Sequence, residues 1–123
     1  MPPLRPPDRT RLAAARHVIY LLFRQGRDDP ALADEAIRLA RVVHRAAPDD
    51  GETAGLLALL LFHEARRPAR WDAQLLAEGR RLLAEGTGDA RCGVPGPFRQ
   101  QALAVSAAMS AQVQAETTGS DDG

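Results

Sequence analysis

The sequence predicts an all-α fold of about five helices, arranged as stacked antiparallel hairpins in a tetratricopeptide-like array or a compact bundle. Three observations carry this reading. Apolar residues recur three and four positions apart in five separate stretches, and aspartate, proline and glycine stand where such stretches should start and stop. No segment alternates apolar with polar residues as a strand does, and isoleucine plus valine number only eight of 123 residues.

Met1 to Pro7 contains four prolines and cannot be helical, whereas Asp8 can cap a first helix that Gly26 stops after Gln25. Its core stripe is expected to be Leu12, Ala15, Ile19 and Leu22, widened by Val18 and Phe23, with Tyr20 and Leu21 toward the other side, so that the helix touches either two neighbours or a partner outside the chain. Asp29-Pro30 starts a second helix running to about Ala46, because the carboxylate accepts orphan amide bonds and proline suits the first helical position. Leu32, Ala36, Leu39 and Val43 form its stripe, and Asp34, Arg38, Arg41 and Arg45 its polar side.

Pro48 to Asp50 break the chain, and Asp49 with Glu52 has capping-box spacing for a third helix reaching about Arg67. Leu56 to Phe62 is apolar nearly all round, which marks this helix as the enclosed centre of the fold. Asp72 can cap a fourth helix to about Glu85, with Leu75, Leu76, Gly79, Leu82 and Leu83 on one seam. Residues 86–97, with four glycines and two prolines, read as a loop. Phe98 opens a fifth helix with Ala102, Val105, Met109 and Val113 on one side. The expected organisation is a proline-rich lead (1–8), one helical domain (9–116) and a disordered acidic tail (117–123).

Sixteen basic residues balance sixteen acidic ones, so the long-range attraction typical of nonspecific nucleic-acid or anionic-membrane binders is missing. All sixteen basic residues are arginines and lysine and asparagine are absent, which points to coding bias as much as to selection for arginine. The longest apolar stretch, Ala54 to Phe62, is far short of the roughly 20 residues that span a bilayer. No secretory h-region precedes it and Cys92 has no second cysteine, so a cytoplasmic protein that does not engage membranes is expected.

Catalytic chemistry finds little support. His17 falls on a polar face, His44 near a helix end, and His63-Glu64 lacks the second histidine of a zincin because position 67 is arginine. Cys92 lacks partners for a metal set, and the glycines near Gly93 and Gly96 are interrupted by prolines. No cofactor, metal or enzymatic activity is expected. The most unusual local feature is Arg66-Arg67-Pro68-Ala69-Arg70-Trp71-Asp72. Three arginines and a tryptophan at a helix junction suit contact with a partner's carboxylates or with phosphate. The competing reading makes Arg66 and Arg67 dipole caps and Trp71 a hairpin staple.

Several stretches occur together in one order: Leu12-Ala13-Ala14 through Val18-Ile19-Tyr20-Leu21-Leu22-Phe23, Glu35-Ala36-Ile37-Arg38-Leu39, Gly55 through Leu61, His63-Glu64-Ala65-Arg66-Arg67-Pro68-Ala69-Arg70, Trp71-Asp72 and Gly96-Pro97-Phe98. That order resembles the C-terminal, tetratricopeptide-like extension of a group of extracytoplasmic-function RNA polymerase sigma factors. The chain departs from it at Arg24-Gln25-Gly26-Arg27, where that group carries Asn-Glu-Gly-Tyr, and at Arg70-Trp71, where an acidic loop is missing. The sigma regions that grip polymerase and read promoters are expected to be absent. The resemblance implies a non-enzymatic interaction module that regulates transcription initiation through protein contacts, with sigma-factor regions or RNA polymerase as partners and no specific DNA binding of its own. The contact residues expected are Arg66, Arg67, Arg70 and Trp71, with Tyr20 and Leu21 as a second, exposed apolar spot. A remnant of a split sigma-factor gene and a small histidine-dependent enzyme are the alternatives.

Overall fold

A computed structural model describes residues 8–67, 72–85 and 96–120, with side chains to Ala111. Five helices follow in chain order: α1 (Arg9–Gln25), α2 (Pro30–Ala46), α3 (Gly51–Ala65), α4 (Ala73–Glu85) and α5 (Pro97–Ser120). Among the described residues there is no strand.

The caps explain where the helices begin. Asp8 accepts from the Arg11 amide at 2.7 Å, Asp29 from Ala31 at 3.0 Å, and Asp72 from Gln74 at 3.0 Å. Each satisfies an amide that has no partner within its own helix, worth about 1 kcal/mol. At α3 the cap is Asp50 and not Asp49: its carboxylate accepts from the Thr53 amide at 3.2 Å and from the Thr53 hydroxyl. The same oxygen lies 2.6 Å from the Arg16 guanidinium, so this cap also ties α3 to α1.

Glu52, freed from the expected capping box, serves a different helix. Its two carboxylate oxygens accept from the Phe98 amide at 3.1 Å and the Arg99 amide at 2.8 Å, capping the first turn of α5 from α3. The close crossing depends on Gly55, where a Cβ would stand 2.5 Å from the Arg99 Cα. With no side chain there, the two backbones can approach within one carbon's thickness.

All of α3 except Glu52 and His63 is buried, and α3 packs against each of the other four helices. Leu56, Leu59, Leu60, Leu61 and Phe62 are fully enclosed, each contributing about 1.5–3 kcal/mol relative to exposure. On one side lies the α1–α2 hairpin, turned at Gly26 to Asp29; on the other lie α4 and α5. Gly79 of α4 rests on the Phe62 ring, which a Cβ would approach to 2.5 Å. The Arg41 guanidinium of α2 pairs with Glu78 of α4, although position 41 reads as part of a purely polar side.

Four expectations change. Val18 is 61% exposed and does not widen the core stripe of α1; it precedes buried Ile19 and so points about 100° away from it. The fully buried residues of α2 are Ala33, Ala36, Ile37 and Ala40; of the expected stripe Ala36 is buried and Leu39 and Val43 pack partly buried against the core, so the core face is wider than expected and shifted toward the small residues. Helix α3 closes at Ala65, two residues early, with Arg66 as its C-cap. Helix α5 continues through Ser120, so Thr117–Ser120 are helical where a disordered tail is expected; extension of a formed helix needs no new nucleus. Residues 1–7, most of the 86–97 loop and 121–123 lie outside the described residues.

Candidate protein-contact surface

The C-terminal ends of α1 and α3 meet, and His63, Arg66 and Arg67 lie at that meeting. Arg66, the C-cap of α3, is exposed, and its amide donates to the Phe62 carbonyl at 3.2 Å. Arg67 behaves differently from its neighbour. Its Nε lies 2.7 Å from Oε2 of Glu64, whose side chain is only 6% exposed, and its terminal nitrogen donates to the Gly26 carbonyl at 3.3 Å. Arg67 is therefore a tie between α3 and the turn after α1, with its side chain half-buried. Arg70, Trp71 and Cys92 lie outside the described residues.

His63 sits beside this tie. Its ring centroid is 6.1 Å from that of Phe23 on α1. Burial of part of the ring holds its pKa below 6.5, and the charge of Arg66 pushes in the same direction. Glu64, the residue that would make His63 part of a catalytic pair, has its carboxylate engaged by Arg67. His17 is exposed on α1; His44 is half-buried on α2, and its Nδ1 has no hydrogen-bond partner among the described residues. Among the described residues no three His, Cys, Asp or Glu side chains gather as a metal site would require, and no helix is long and apolar enough to cross a membrane.

Tyr20 and Leu21, expected together as an exposed spot, separate. Tyr20 is half-buried against the core, with its ring 5.2 Å from that of Phe98 on α5 and the Arg24 guanidinium 6.0 Å from its centroid. Leu21 is 45% exposed. Its companion is Val18, which sequence reasoning assigned to the core. Residues three apart are neighbours on a helix surface, so Val18 and Leu21 form one apolar step on the outer face of α1, continued by exposed Ala14 and His17. The signal that could have found Val18 is angular: the buried line through Leu12, Ile19 and Phe23 leaves it more than a quarter-turn away.

Residues 11–77, more than half the chain, match a family described as a family of unknown function, DUF6596. The matched span runs from α1 into α4 and leaves α5 outside. A protein of Rhizobium meliloti (strain 1021), described as uncharacterized, is 44% identical over 71 residues, a stretch covering 51% of this chain and 17% of the relative. The chain thus accounts for a small part of that relative's length. No solved structure matches the chain.

Proposed function

The chain belongs to DUF6596, the family of unknown function, and from that premise we propose that it is a non-enzymatic helical interaction module, regulating transcription initiation through contacts with sigma-factor regions or RNA polymerase. The observation that carries this reading is the apolar step of Val18 and Leu21, exposed on a hairpin whose other face is already used by α3. Exposed large aliphatic neighbours on an otherwise well-packed helix are what a docking surface offers. The order of motifs shared with the sigma-factor extension supplies the transcriptional part of the proposal. The 17% coverage of the Rhizobium relative supports a module that works joined to, or alongside, a larger protein.

Arg66 remains a second contact candidate because it is exposed and makes no described ion pair, whereas Arg67 and Tyr20 serve the fold. Capture with the tagged chain from its own cells tests the reading. Recovery of polymerase or a sigma factor by the parent chain, and its loss with Leu21→Ser or Arg66→Gln at unchanged melting temperature, is the expected result. Capture of neither, or sequence-selective retardation of promoter DNA by the chain alone, overturns it.

A further inference from the structure

The outer face of α1 has a charge pattern as well as an apolar step. Within Arg9–Gln25 every charged side chain is an arginine, in a protein whose net charge is zero. Arg16 is committed to Asp50 and lies toward α3. Arg11 and Arg24 are exposed, and they bracket the apolar step: Arg11 lies seven residues before Val18 on the same side of the helix, and Arg24 lies three residues after Leu21. Arg24 stands thirteen positions after Arg11, a span of about 20 Å along the axis. The face therefore reads as cation, alanine, two aliphatics, cation.

We propose that this face is the docking site for an acidic amphipathic helix of a protein partner, lying along α1 with apolar side chains one turn apart over Val18 and Leu21 and carboxylates about 20 Å apart opposite Arg11 and Arg24. The proposal rests on the interaction-module reading and adds to it the surface and the chemistry of the partner. A second copy of the chain lying parallel fits poorly, because a parallel twofold contact through this face sets arginine against arginine and α1 brings no acidic residue of its own. An anionic lipid surface also attracts arginines, but the step offers two aliphatic side chains and no tryptophan or phenylalanine to enter the acyl region. Arg11 has a neighbouring carboxylate in Asp8 at 3.9 Å, both of them exposed, a contact that a partner's carboxylate can displace at little cost.

The test uses the full chain and a labelled synthetic helix of about 18 residues, with central leucines one turn apart and glutamates about 13 residues apart; a second peptide carries lysines in their place. Fluorescence anisotropy should show saturable binding of the glutamate peptide that weakens as salt rises, and at least tenfold weaker binding of the lysine peptide. Val18→Ser with Leu21→Ser should weaken binding about tenfold or more, and Arg11→Gln with Arg24→Gln should remove the preference for glutamate, both at unchanged melting temperature. Equal binding of the two peptides, absence of binding, or indifference to both double variants overturns the proposal. So does a dimer dissolved by Val18→Ser with Leu21→Ser, or tighter binding to phosphatidylglycerol vesicles than to the peptide. Amide shifts on peptide addition separate the two levels: shifts confined to the Arg66 end reject this face and leave the interaction-module reading standing, whereas failure of cellular capture rejects that reading itself.

Discussion

Changing Gly55 to alanine sets two physical effects of opposite sign against each other. In a helix interior the substitution ordinarily stabilises by about 1 kcal/mol, because alanine loses less backbone freedom on folding. Here the new Cβ would stand 2.5 Å from the Arg99 Cα, 2.7 Å from its Cβ and 2.8 Å from its amide nitrogen. Two of these atoms belong to backbone, which cannot rotate away, so α5 must retreat by about 1 Å to reach ordinary contact, and overpacking of this kind costs about 1–3 kcal/mol. The retreat also stretches the bonds from Glu52 to the Phe98 and Arg99 amides, now 3.1 and 2.8 Å, toward the limit of hydrogen bonding. Losing them adds about 1 kcal/mol or more. The net expectation is a destabilisation of about 1–3 kcal/mol, or a fall in Tm of about 4–12 °C for a domain of this size. Urea and thermal unfolding followed by circular dichroism at the helical band measure it. A Gly55→Ala protein as stable as the parent, or more so, refutes the backbone crossing of α3 and α5.

Three further expectations follow from the same geometry. Leu60→Ala should cost about 2–5 kcal/mol, since the side chain is fully enclosed, and a loss below about 0.5 kcal/mol in urea unfolding would remove α3 from the centre of the fold. Arg67→Gln should cost about 1–3 kcal/mol by parting buried Glu64 from its ion pair, while Arg66→Gln should cost under about 0.5 kcal/mol; equal effects in a thermal melt would contradict the tie at Gly26. His63 has a folded-state pKa below its unfolded 6.5, so the unfolded chain binds more protons in the window just below 6.5, and stability should rise with pH through that window and level off above it. His63→Gln should flatten this part of the profile, and Arg66→Gln should move the histidine's titration upward in NMR; an unchanged profile and titration would contradict the contact.

What the chain wrote locally was legible, and what depended on distant partners was not. Asp8, Asp29 and Asp72 cap helices through amides two or three residues away, so sequence spacing alone could find them. The centrality of α3 followed from a run apolar on every side, which only an enclosed helix tolerates. Glu52 shows the limit. A carboxylate at that spacing can serve amides of its own helix or of another, and its actual partners lie 46 and 47 residues on. The tie of Arg67 to Gly26 crosses 41 residues, so local spacing offers that residue only as a contact or a dipole cap, and nothing local announces that Phe98 lies against Tyr20. The candidate surface was half legible: Leu21 was found, while Val18 looked like core because valine usually is.

The position of α3 also fixes the order in which protection from solvent is lost. The α1–α2 hairpin covers one part of it and α4 with α5 the larger part, the flanks joined by the Arg41–Glu78 pair and the Tyr20–Phe98 rings, so α3 keeps some cover when either flank opens. Hydrogen exchange should consequently sort the amides into three groups. Those of the outer helices exchange through partial openings of their own flank, and those of Leu56 to Phe62 exchange only when both flanks are gone. The slowest amides thus report the stability of the whole domain. A partner seated on α1 should slow the first flank most, with any effect on α5 confined to its first turn, where Phe98 meets Tyr20.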